Sequence, residues 1–148
     1  MDENYEYKVE LFGWRLAAAA NVSMQVDLGS GYITSSSYAR SVSYVAAGAN
    51  SPTDATMASS TVMLLSTGNA DYPISGDIVF APGHQSTGYS EVRNEFLYRN
   101  ASGHTVHFIG RNWLTTPTNA AIQRIRLRCS TQNTTAGKFL LFRRPLVA

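Results

Sequence analysis

The strongest constraint on this chain is a period of two. After Asn21, apolar and polar residues alternate in short runs, and clusters of Gly, Pro, Ser and Asn end each run. In a strand successive side chains point to opposite faces, so such alternation marks half-buried strands rather than helices. Eight runs qualify: VSMQVDL (22–28), YARSVSYVAAG (38–48), STVMLLS (60–66), SGDIVFAP (75–82), SEVRNEFLYRN (90–100), HTVHFIGRNW (104–113), AIQRIRLRCS (121–130) and KFLLFRRP (138–145). Turn signals recur at the roughly 8- to 14-residue spacing expected of an antiparallel sandwich, and the helices that a parallel α/β sheet requires are missing. The expected fold is therefore all-β: an antiparallel β-sandwich of about eight strands, jelly-roll-like.

Some segments stand outside this pattern. FGWRLAAAANV, residues 12–22, is the only stretch that suggests a helix, of one or two turns. Residues 1–21 hold Tyr5, Tyr7, Val9, Leu11, Phe12 and Trp14 in a short apolar block, which we read as an N-terminal arm or edge segment ahead of a domain spanning 22–148. ANSPTDATMAS and GHQSTGY read as exposed loops, and NASG at 100–103 as a hairpin connection.

At 148 residues the chain is one domain long, enough to bury a core without staples. Charged residues make up only 15%, and the net charge of +2 is too mild to point to nucleic acid, which needs a clustered basic face. The single cysteine, Cys129, excludes an intrachain disulfide and reads as a free core thiol. The acidic opening MDENYEYKVE is not followed by the apolar run of a signal peptide, and no window approaches 18 apolar residues, so no membrane partner is expected.

The one concentrated charge feature is a stripe. Strand parity puts Arg124, Arg126 and Arg128 on one face and Ile125, Leu127 and Cys129 on the other, toward the core. SEVRNEF has a matching outward set, Glu91, Arg93 and Glu95, so cross-strand pairing between the two segments is one reading and an acidic protein surface is another. Chemistry-bearing motifs are lacking. His104 and His107 sit at an odd offset that throws them onto opposite faces of a strand, and no HExxH, CxxC or calcium loop is present. TTAGKF fails the phosphate-loop pattern at both ends, no GxSxG elbow occurs, and Gly137 reads as a hairpin turn. We expect neither enzymatic activity, nor a cofactor, nor a metal. The aromatics, including Tyr32, Tyr38, Tyr72 and Tyr89 at loop boundaries, read first as core and rim and second as a platform for a sugar or protein neighbour.

The order SGDIVFAPGH, YSEVRNEFLYRN, AIQRIRLRCSTQNTTAGKFLLFRRP resembles small jelly-roll virion structural proteins of tailed bacteriophages, of the capsid cement or decoration type. Ala121, Ile122, Ile125, Arg126, Leu127, Gly137, Phe139, Leu141 and Phe142 carry the likeness, and the segment ending at Tyr32 is similar to the opening of those proteins. This chain departs by ending its last strand on Phe142, Arg143, Arg144 and Pro145, where those proteins end on an apolar segment. The resemblance implies a protein of the virion, assembled in the host cytoplasm, that forms a homotrimer and bridges major capsid subunits. The alternative is a tail-fibre or receptor-binding tip domain that recognises a host-surface glycan. The expected interface is Tyr5, Tyr7, Leu11, Phe12 and Trp14 of the arm, with Arg124, Arg126, Arg128, Arg143 and Arg144.

Overall fold

The computed structural model describes residues 1–2, 4–48, 52–60, 63–68, 72–81, 91–100, 102–115, 120–130 and 134–146. The GHQSTGY segment, with His84 and Tyr89, lies outside them. The strands are β1 (Tyr5–Leu16), β2 (Ala20–Asp27), β3 (Tyr38–Ala46), β4 (Thr53–Ser60), β5 (Met63–Gly68), β6 (Ile74–Phe80), β7 (Glu91–Arg99), β8 (Thr105–Leu114), β9 (Arg124–Cys129) and β10 (Thr134–Pro145). They form a seven-stranded sheet, in the order β10-β1-β6-β7-β8-β3-β4, and a three-stranded sheet, β5-β2-β9. Every pairing is antiparallel. The fold is an all-β sandwich, divided seven and three rather than into two sheets of four.

The alternation in the sequence produces the layers. In β7, Val92, Asn94, Phe96 and Tyr98 point inward and Glu91, Arg93, Glu95, Leu97 and Arg99 outward. β8 continues the pattern with Val106, Phe108, Asn112 and Leu114 buried. The two join through the NASG hairpin, where Asn100 Oδ1 accepts from the backbone N–H groups of Ser102 and His104. Side chains of both sheets meet in one core cluster that includes Leu11, Trp14, Val22, Met24, Val26, Tyr38, Ile78, Phe80 and Phe96.

Four expectations are corrected. Residues 5–16 are neither an arm nor an edge: β1 lies between β10 and β6, and Tyr7, Val9, Leu11, Trp14 and Leu16 are core residues, so no domain boundary falls at residue 21. Residues 12–22 form no helix but the end of β1, a bend and the start of β2. A bulge explains the misleading spacing. Register shifts between Phe12 and Arg15, with Gly13 at φ +60°, so that the inward set passes from Tyr7, Val9 and Leu11 to Trp14 and Leu16. ANSPTDATMAS contributes an edge strand, β4, rather than a loop. Finally, β9 and β10 belong to different sheets, so they are not a hairpin; Gly137 lies within β10, beside Trp14.

Candidate interaction surfaces

The arginine stripe is matched inside its own sheet. β9 pairs with β2, which sets Arg124 opposite Asp27, Arg126 opposite Gln25 and Arg128 opposite Ser23. Arg124 Nε donates to Asp27 Oδ2 at 2.8 Å, and its Nη2 pairs with the same oxygen. The other oxygen, Oδ1, accepts the N–H groups of Gly29 at 2.7 Å and Gly31 at 3.0 Å. These contacts hold the Asp27 carboxyl below the usual carboxylate range: the Gly29 N–H contributes most, Gly31 and Arg124 add to it, and burial opposes them. Gln25 Oε1 accepts from Arg126 Nε at 2.8 Å and Nη2 at 2.6 Å, and from Arg128 Nη1 at 3.3 Å. Tyr32 lies over the stripe, its ring centroid 4.3 Å from the Arg126 guanidinium and 5.7 Å from that of Arg124. The stripe thus fastens the 27–32 loop to the small sheet. Glu91 and Glu95 lie on the other sheet and do not face it. The parity reading holds, since Ile125, Leu127 and Cys129 are half-buried against the core, where burial pushes the Cys129 thiol up.

The expected interface residues separate. Tyr7 is buried and stacks on Phe80, with ring centroids 5.8 Å apart; Leu11 is fully buried; Trp14 is buried and meets Phe139 edge-on at 5.3 Å. None of these three is available to a partner. Tyr5 is half-buried beneath the Arg143 guanidinium at 4.6 Å, and Phe12 is exposed on the outer face. Arg143 and Arg144 are exposed, Arg144 Nε pairing with Glu6 at 2.7 Å.

The strand that carries those arginines is the most open among the described residues. Among the described residues β10 is a twelve-residue edge strand paired only with β1, and of its residues only Leu140 is even half-buried. Its register sets Phe139, Leu141 and Arg143 opposite Leu11, Val9 and Tyr7, on the side that elsewhere faces the core. The three-stranded sheet leaves that side of β10 open: Phe139 is 45% and Leu141 61% exposed. Phe142, on the opposite side, is 47% exposed. Among the described residues nothing pairs with the far edge of β10, whose backbone N–H and C=O groups are flanked by Lys138, Arg143 and Arg144.

A second surface lies on the outer face of the large sheet, which sequence reasoning missed. It is a basin of about 580 Å³, lined among others by Lys8, Val79, Arg93, Gly110, Arg111 and Phe142. Arg93 and Arg111 stand directly opposite on β7 and β8, a register that the NASG hairpin dictates and that could have been read from the turn. Lys8 Nζ meets Glu10 at 2.8 Å and Asp77 at 3.0 Å, and these carboxylates, Glu10 first, hold its pKa above the ordinary lysine range. His107 pairs with Glu95 at 2.6 Å on the same face. His104 precedes β8 in the exposed turn. Among the described residues no three His, Cys, Asp or Glu side chains gather as metal ligands would. Nor among them is any helix long and apolar enough to cross a membrane.

Inside the sandwich, Asn112 Nδ2 donates to Asn94 Oδ1 at 3.0 Å. A Cβ at Gly110 would come within 2.5 Å of that oxygen, so glycine leaves the space the pair occupies. Set against family models, curated proteins and solved structures, the chain matches none of them.

Proposed function

We propose that this chain is a bacteriophage virion structural protein of the capsid cement or decoration type, a jelly-roll-like trimer that stabilises the shell by bridging major capsid subunits. The observation that carries the reading is β10: a long, uncovered edge strand with apolar side chains on both faces and a basic end. An extended, acidic and apolar segment of a capsid subunit adds to its free edge. Each new backbone hydrogen bond contributes about 0.5–1.5 kcal/mol net, and burial of the part of Leu141 or Phe139 still exposed about 1–2 kcal/mol. Three such strands in one trimer engage neighbouring capsid subunits together, which raises avidity without new contacts. Arg143 and Arg144 meet the acidic partner and disfavour pairing of β10 with its own copies. The likeness of the C-terminal segment to phage virion proteins supports the same reading. Mixing purified protein with undecorated capsids tests it: co-sedimentation and greater heat resistance of the shell are expected, and the absence of both overturns it.

The outer-face basin favours a second reading, a tail-fibre or receptor-binding tip domain that recognises a host-surface glycan. Copies per virion separate the two, since hundreds belong to a shell and a handful to a tail.

A further inference from the structure

The basin holds an imbalance of charge. Arg93 and Arg111 are directly opposed across β7 and β8, where like charges are unfavourable, and both reach the same carboxylate. Glu91 Oε1 lies 3.0 Å from Arg93 Nε and 3.8 Å from Arg111 Nε. The neighbouring carboxylates are engaged elsewhere: Asp77 and Glu10 with Lys8, Glu95 with His107, Glu6 with Arg144. Among the described residues two guanidiniums thus share one carboxylate, and Arg111 is held only loosely. Two adjacent guanidinium forks suit a planar carboxylate from outside.

The rest of the basin describes what that carboxylate is attached to. In register across the sheet, one row runs Phe142, Lys8, Val79, Arg93, Arg111. Phe142 and Arg93 are three strand spacings apart, about 14 Å, longer than a single sugar ring. Val79 gives the row an apolar floor, and Phe142, 47% exposed, gives it a ring face at the far end, against which the C–H face of a sugar packs. Asp77 and Glu95 line the basin beside this row and accept hydrogen bonds from hydroxyl groups. The same carboxylates repel a chain charged at every unit, such as a polyphosphate or nucleic acid. A basin of 580 Å³ is within the size range of small-ligand sites.

We propose that this basin binds an acidic oligosaccharide, its carboxylate held between Arg93 and Arg111 and a further ring laid over Val79 toward Phe142. The inference rests on the glycan-recognition reading and is independent of the β10 contact. Calorimetry of the full chain with a trisaccharide that ends in a single glucuronate, and with its uncharged methyl ester, tests it. The acid binds about tenfold to a hundredfold more tightly than the ester, the size of one charged hydrogen-bonded contact. Arg111→Gln and Arg93→Gln each remove that difference and leave ester binding unchanged. Arg128→Gln, which removes the same charge from the opposite sheet, leaves acid binding unchanged. Equal binding of acid and ester by the wild type, or full acid affinity in Arg111→Gln, overturns the inference while glycan recognition stands. Binding of neither sugar by a protein that adheres to host cells likewise overturns the inference alone, and the same result without adherence overturns both.

Discussion

Arg124 reaches across from β9 to Asp27 on β2, a carboxylate with no exposed surface whose second oxygen is taken by the N–H groups of Gly29 and Gly31. The pair ties the small sheet to the loop beside it. Because the Asp27 carboxyl sits below its unfolded value of about 3.9, the unfolded chain binds the proton more readily. Its contribution to stability is therefore complete above that value and is lost as pH falls through the depressed folded value. Thermal melts across pH 2–7 should show wild type losing stability in acid. Asp27→Asn should melt lower at neutral pH and converge toward wild type at the acid end. Parallel curves for the two proteins would contradict the assignment.

The bulge in β1 needs a glycine across from it. Gly137 has φ +142°, and a Cβ there would lie 2.9 Å from Trp14 Cα, a backbone atom that cannot move aside cheaply. Gly137→Ala should therefore cost about 1–3 kcal/mol by urea denaturation, the usual size of an overpacked site. Gly48→Ala, at φ +89° and where a Cβ would meet nothing within 4 Å, controls for the strain of positive φ alone.

Leu11 and Leu141 separate folding from binding. Leu11 is fully buried in β1, and its replacement by alanine should cost about 2–5 kcal/mol. Leu141→Asp, on the open strand, should stay within about 0.5 kcal/mol of wild type and still lose capsid attachment. A large stability loss in Leu141→Asp would mean that β10 is covered in the free protein.

What could be read from the sequence was local, and what could not was long-range. Parity gave the inward and outward sides of β7 and β9, because a period of two survives in both. It failed in β1, where the bulge at Phe12 and Gly13 places Leu11 and Trp14 on one side at an interval of three, which mimics a helix. It failed also at β4, which lies at an edge and whose side chains from Thr53 to Met57 are all exposed, with no buried stripe among them to reveal it. Strand partners were the hardest part. The alternation in β9 allows Glu91 and Glu95 as partners for Arg124, but Asp27, 97 positions away, lies beside it, and nothing in either segment specifies which sheet it joins. The buried Tyr7, Leu11 and Trp14 looked like an interface for the same reason: an apolar block reads alike whether its own domain or a neighbour covers it. The opposed arginines of the basin were missed as well, although the NASG turn fixes the β7–β8 register that sets them opposite each other.

Hydrogen–deuterium exchange tests the central claim most directly, because the unpaired edge of β10 should exchange freely in the isolated protein. With undecorated capsids present, the account predicts new protection concentrated in 138–144. Protection confined to other strands, or none on a capsid that has bound the protein, would contradict it.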